Sequence, residues 1–248
     1  MTHRRSARLV VVGVLGLVAA GCAGRTGGPP RGASRQSHET AALWNDFVWV
    51  ALFVGLLVYG LIIWSVVRYR KRRDDDGSVP PQTHYNLPIE VFYTAVPIVV
   101  VAILFGLTVR GQTRIDHVAA RAPARVVRVE GFQWGWRFTY LNDGVTVLGN
   151  TTSSDPELAL PVGQDVRFLI TSDDVIHSFF VPGFLFKRDA VPGQVNTVDM
   201  HPTTIGSYGG HCAEFCGLYH SRMNFHVAVM SGPDFDAWLV QHRTGASG

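Results

Sequence analysis

The sequence predicts two structural parts: a membrane α-helical hairpin, then an all-β domain. Three observations predict this. Phe47–Val67 and Val91–Val109 are runs of 21 and 19 residues without a charge. Beyond about residue 114 the pattern changes to apolar residues at every second position, as in Val166, Phe168, Ile170 and in Phe225, Val227, Val229. Pro-Gly and Gly-Gln turns then recur, at 161–164, 182–183 and 192–194. A run of 21 residues at about 1.5 Å each makes roughly 31 Å of helix, enough to cross a hydrocarbon layer. Alternation with period two places one face of a strand in a core, and short strands between such turns make a sandwich or a barrel.

At the N-terminus, Arg4, Arg5 and Arg8 precede the apolar run Leu9–Ala20, which is short for a bilayer span and reads as an export signal over residues 1–21. Small residues, Ala19-Ala20-Gly21, stand directly before Cys22, a pattern that resembles a lipoprotein cleavage site and makes Cys22 the expected lipid attachment point. Residues 23–37 are rich in Gly, Pro, Arg and Ser, so 22–42 is expected to be a flexible tether. The hairpin then occupies 43–113. Trp44, Trp49 and Trp64 lie near the ends of its first span. Pro97 lies within the second, where a membrane helix tolerates it. Arg68, Arg70, Lys71, Arg72 and Arg73 lie between the spans and place the connecting loop on the cytoplasmic side. Residues 114–248 are therefore expected outside, where Pro233 opens a short helix with Phe235, Trp238 and Leu239 on one face.

Composition narrows the function. Apolar residues make up 47% of the 248 and charged residues 17%. Residues 1–113 hold 12 Lys/Arg against 6 Asp/Glu, and residues 114–248 hold 10 against 13. A basic partner suits the second part, and no basic patch interleaved with aromatics suggests nucleic acid.

The chemistry is concentrated in Cys212-Ala213-Glu214-Phe215-Cys216-Gly217-Leu218-Tyr219-His220-Ser221-Arg222-Met223. Thiolate and thioether are soft ligands, and methionine beside cysteine and histidine favours copper over zinc. A mononuclear blue-copper site needs one cysteine, and here there are two. Two thiolates can bridge two coppers, each with one histidine and one weak ligand. His177, a polar residue in the apolar run Val175–Pro182, is the candidate second histidine. A disulfide between Cys212 and Cys216 is the competing reading, suited to a metal-free form in an oxidising compartment.

The motif Cys-x-Glu-x-Cys-Gly-x-x-His-x-x-Met, with Asp174-Val-Ile-His177-Ser-Phe upstream, resembles subunit II of the haem–copper cytochrome c oxidases over nearly the whole chain. The resemblance implies that the all-β part is a cupredoxin-like Greek-key barrel holding a dinuclear copper centre, CuA. Cys212 and Cys216 would bridge the coppers, and His177 and His220 would each bind one. Met223 would be the weak side-chain ligand and Glu214 would supply its backbone oxygen. The Glu214 carboxylate would also help hold magnesium or manganese at the boundary with subunit I. His211 stands where glutamine or arginine is commoner, and no ligand role is expected for it.

The stretch Phe132–Tyr140 reads as one strand with Phe132, Trp134, Trp136 and Phe138 on a single face. By resemblance Trp134 receives the electron from cytochrome c, although Gly135 and Thr139 depart from the family's aromatic and acidic residues. Asp173 and Asp174 are candidate docking charges for a basic partner. Glu90, at the start of the second span, matches by resemblance the entrance of a proton pathway into subunit I. The implied function is that of a proton-translocating cytochrome c oxidase subunit in the bacterial plasma membrane. It passes electrons to haem in subunit I, where oxygen is reduced, and it has subunits I and III, cytochrome c and membrane lipid as partners. A quinol oxidase subunit would lack the copper ligands, a nitrous oxide reductase would be far larger, and a copper-delivery lipoprotein would need neither Trp134 nor Glu90.

Overall fold

The computed structural model describes residues 32–71, 78–79 and 82–244. The signal, Cys22, and the loop residues Arg72 and Arg73 lie outside them. The chain divides into two compact units, residues 39–117 and the remainder.

The first unit holds most of helix α1 (Arg35–Arg68) and all of α2 (Leu87–Ile115). At 34 and 29 residues they extend through about 50 and 45 Å respectively. Phe53, Leu56, Ile63, Ile98 and Phe105 are all exposed, and none of α2 is buried. Apolar side chains on all faces with no protein cover suit hydrocarbon surroundings, and the chain is a membrane protein. Glu39 and Arg114 form an ion pair at 3.2 Å, which brings the start of α1 beside the end of α2. At the opening of α2, the Asn86 side chain accepts from the Ile89 N–H and the Asn86 N–H donates to Glu90 at 3.1 Å. This reciprocal cap satisfies donors that the first turn leaves unpaired.

The second unit is a two-sheet sandwich. Its strands are β1 (Arg125–Phe132), β2 (Gly135–Tyr140), β3 (Val145–Asn150), β4 (Glu157–Pro161) and β5 (Val166–Ser172). They continue with β6 (His177–Val181), β7 (Phe186–Ala190), β8 (Asn196–Met200), β9 (Gly206–Cys212) and β10 (Asn224–Met230). One sheet runs β3-β2-β1-β5-β8 and the other β4-β10-β9-β6-β7. The pairs β1–β5 and β10–β4 are parallel, and the other neighbours are antiparallel. The alternation in the sequence maps directly onto the core: Val166, Phe168 and Ile170 face inward from β5, and Phe225, Val227 and Val229 from β10. Helix α3 (Gly232–Thr244) buries Phe235, Trp238 and Leu239 on the face foreseen for them. The turn glycines at 163 and 193 have φ of +73° and +74°, a region open to residues without a Cβ.

Two local features differ from the sequence reading. Within 22–42, the described part is not a loose tether. Ala33 donates to the Gly183 carbonyl at 2.9 Å, Thr203 donates to Ala33 at 2.8 Å, and the Gln36 amide donates to Asp199 O at 2.7 Å. Backbone groups of Gly183, Asp199 and Thr203 find their partners in this segment, which turns helical at Arg35. The aromatic stretch 132–140 is also not one strand. It is a hairpin in which β1 ends at Phe132 and β2 begins at Gly135, with Phe132 paired to Gly135. Trp136 and Phe138 therefore enter the core while Trp134 sits on the connecting turn.

Candidate metal centre

Three loops meet at one end of the sandwich. Cys212 ends β9, and the long connection from β9 to β10 carries Glu214, Cys216, His220 and Met223. Its two ends are held in register by β9–β10 pairing, with His211 opposite Asn224. The β5–β6 connection brings Asp174, the first residue of β6 is His177, and the β1–β2 turn brings Gln133 and Trp134.

The two cysteine sulfurs are 3.9 Å apart and both buried. That is nearly twice a disulfide bond length of about 2.0 Å, so the thiols are free. His177 Nδ1 lies 3.8 Å from Cys212 Sγ, and His220 Nδ1 lies 3.6 Å from Cys216 Sγ. Met223 Sδ is 3.9 Å from Cys216 Sγ. The Glu214 carbonyl accepts from Cys212 Sγ at 3.3 Å. The six residues named as ligands from the sequence thus converge on two sulfurs. Two bonds of about 2.3 Å, the usual metal–thiolate length, can span the gap between those sulfurs, so one ion can reach both. His177, Cys212 and Cys216 alone place three donor atoms within 4.8 Å of one another. Soft sulfur with imidazole fits copper binding.

The electrostatics prepare the thiols for a cation. Burial works against ionising Cys212, but hydrogen bonds from His177, the backbone near Glu214 and Ser178, and His220 outweigh it and lower its pKa to about 6. Burial and the neighbouring Cys212 thiolate raise Cys216 to about 12. The pair therefore carries one negative charge at neutral pH, and a metal must displace the second proton. Burial opposes protonation of His177, yet Cys212 and Asp174 together raise its pKa.

Side chains around the cluster hold its ligands. His177 Nε2 lies 2.9 Å from Asp174 Oδ1, so the carboxylate orients the ring and Nδ1 is the nitrogen that faces the sulfur. Burial would raise the Asp174 carboxyl, but His177 and the backbone N–H groups of Val175 and Gln133 lower it. Asp174, read as a docking charge, is thus turned inward on a histidine, while Asp173 pairs with Arg137 at 3.0 Å. Trp136 is fully buried, packs edge-on against His177, and donates from its indole to the Met223 carbonyl at 3.4 Å. Trp134 donates to the Cys216 carbonyl at 3.1 Å, and Gln133 to the same oxygen at 2.9 Å. Sequence reasoning missed Gln133 and the inward role of Asp174. The Asp-x-x-His spacing was the one available signal for the latter. His211 is exposed, edge-on to Phe180, and touches no sulfur. Glu214 keeps its carboxylate outside the cluster, 3.9 Å from Lys187 Nζ. Glu90 lies in the other unit, on α2.

Comparison with known proteins agrees with this arrangement. Residues 28–108 match the family described as cytochrome c oxidase subunit II, transmembrane domain, and residues 125–230 match its periplasmic domain. The probable cytochrome c oxidase subunit 2 of Streptomyces avermitilis is 36% identical, over 82% of this chain and 75% of that one. The cytochrome c oxidase subunit 2 of Mycobacterium tuberculosis is 34% identical, over 98% of this chain and 83% of that one. The crystal structure of the periplasmic domain of cytochrome oxidase subunit II from Bradyrhizobium japonicum is similar at 27% identity and a TM-score of 0.47, covering 51% of this chain and 99% of that one. Matches to both halves, and identity above a third along most of its length, show that the chain belongs to the cytochrome c oxidase subunit II family.

Proposed function

We propose that this chain is the copper-carrying subunit through which a cytochrome c oxidase receives electrons. One observation carries the reading: each of two free sulfurs, 3.9 Å apart, has its own imidazole Nδ1 within 3.8 Å. One zinc would use four donors in a closed tetrahedron and leave Met223 and the Glu214 carbonyl idle. Two coppers would use all six donors and would be held by Cys212, Cys216, His177, His220, Met223 and the Glu214 carbonyl. Bound there, a mixed-valence copper pair supplies a one-electron carrier. The chain's own contribution is to bury the sulfurs, orient His177 through Asp174, and limit movement of the ligand loop. A rigid, preorganised shell keeps small the rearrangement that accompanies a change in charge. Copper reconstitution of the full chain in detergent tests the proposal. Two coppers per chain with a seven-line paramagnetic resonance pattern support it, and one copper with four lines overturns it.

Electrons arrive, in this proposal, from a basic cytochrome c attracted by the acidic exterior domain. Trp134 is the receiving residue. Its indole stacks edge-on to Tyr219 at 5.1 Å and donates to the carbonyl of Cys216, so a single hydrogen bond joins it to a ligand residue. Trp134→Phe is expected to slow reduction by cytochrome c at least tenfold while two coppers stay bound. Stopped-flow kinetics at unchanged copper content check this, and a wild-type rate removes Trp134 from the path.

The remaining assignments follow from the same reading. Subunits I and III are the membrane partners, and haem in subunit I takes the electron for oxygen reduction. The Glu214 carboxylate would share magnesium or manganese with subunit I. The protein is multi-pass in the bacterial plasma membrane, with the β-domain outside, and Cys22 is the lipid attachment point. Glu90 stands at a proton-pathway entrance. Since its Oε1 also caps α2, Glu90→Gln is the informative variant: glutamine can still accept from Asn86 while losing the charge. Proton uptake and turnover are expected to fall severalfold with copper content unchanged, and normal proton pumping would count against the role.

A further inference from the structure

We propose that Gln133 is a positioning residue that joins the two sides of the metal centre and tunes its reduction potential. The inference rests on the copper reading above. His177 opens β6 and Cys216 lies on the β9–β10 loop; β6 pairs with β9, Phe179 opposite Cys212, but that ladder does not extend to Cys216. Gln133, on the third loop, bonds to both. Its backbone N–H donates to Asp174 Oδ2 at 2.7 Å, and the other oxygen of that carboxylate lies 2.9 Å from His177 Nε2. Its side-chain amide donates to the Cys216 carbonyl at 2.9 Å. A carbonyl accepts only from the nitrogen end of an amide, so the direction of the Gln133 side chain is determined by its partner. A continuous path therefore runs from the His177 imidazole through Asp174 and Gln133 to the peptide of Cys216.

The contact is built closely. Trp134 fills the second lone-pair direction of the same carbonyl. The next residue, Gly217, has φ of +118°, and a Cβ there would lie 3.2 Å from the Trp134 ring and 3.4 Å from Gln133 Nε2. The loop backbone thus comes near both donors only because residue 217 carries no side chain. Two N–H dipoles aimed at the peptide of a bridging cysteine favour the state with more negative charge on the ligands and metals. They therefore raise the reduction potential, as outer-shell hydrogen bonds do at other metal sites. Coupling through Asp174 means that a displaced Gln133 also releases the orientation of His177.

The test is Gln133→Met in the full, copper-loaded chain in detergent. Methionine matches glutamine in length and has no donor. Two coppers are expected to remain. The reduction potential, measured by voltammetry, is expected to fall below wild type, and the copper hyperfine splitting to change. Combined with Asp174→Asn, the shift is expected to differ from the sum of the two single shifts, because both variants interrupt one path. If Gln133→Met fails to fold, Gln133→Asn keeps the backbone bond to Asp174 but is too short to reach Cys216, and its potential is expected to fall likewise. An unchanged potential and splitting overturn the proposal, even if the melting temperature drops, and so does strict additivity. A wild-type chain without two coppers overturns the copper reading and this inference with it, whereas a normal wild type beside an unchanged variant overturns this inference alone.

Discussion

Cys216→Ser is expected to abolish the two-copper signal while the sandwich still folds. The Cys216 sulfur meets three other donor atoms of the cluster, Cys212 Sγ at 3.9 Å, His220 Nδ1 at 3.6 Å and Met223 Sδ at 3.9 Å. A hydroxyl is a hard donor that does not ionise at neutral pH, so it cannot replace a bridging thiolate. Residual binding falls to one copper or none on Cys212 and His177, with a four-line pattern. The rate of reduction by cytochrome c should drop by more than the 10–100-fold that loss of an outer-shell partner costs at metal sites. Since sulfur and oxygen differ little in volume, the metal-free protein should lose only about 1 kcal/mol. Copper counting, paramagnetic resonance and a thermal melt of the metal-free form check these three statements. Retention of two coppers with a seven-line pattern would exclude Cys216 as a bridge.

The second large effect is expected at Trp136. It is fully buried and lies within 5.4 Å of Phe225 and 5.8 Å of Phe179, measured between ring centres. Truncation at such a site costs about 3–5 kcal/mol, from lost burial and from the cavity left behind. For a domain of this size that lowers Tm by roughly 10–15 °C. Copper affinity should fall as well, because Trp136 packs on His177 and donates to the carbonyl of Met223. Trp136→Phe separates the two contributions: it retains most of the packing and loses the N–H, so stability should recover further than copper retention. A Trp136→Ala protein within 1 kcal/mol of wild type would show that the core closes over the gap.

A local pattern carried much of this far. Runs without charge specified the two helices, because the hydrocarbon core demands length and apolarity from consecutive residues, both of which are linear properties. Alternation at 166–170 and 225–229 specified inward faces for the same reason: the pleat repeats every two residues whatever it packs against. The ligand loop was legible because five of its donors lie within twelve positions, and few chemistries use two thiols, an imidazole and a thioether together.

What was not legible depends on contacts between distant segments. The stretch 132–140 has the alternation of one long strand, and period-two counting missed the two-residue turn at Gln133 and Trp134 that reverses the chain within it. Asp174 is charged and near a loop, which in a linear reading means solvent. It turns inward only because His177 and the Gln133 N–H meet it there, 3 residues away in one case and 41 in the other. The residues before α1 have a tether's composition, yet open backbone groups near β8 bind them. The kinds of donor atom and the number of long apolar helices thus followed from residue identity and order, which need no partner. The pairing of each imidazole with one sulfur, and the carbonyl held by Gln133 and Trp134, came from three loops folding together. Hydrogen bonds are short-ranged in space and indifferent to separation along the chain.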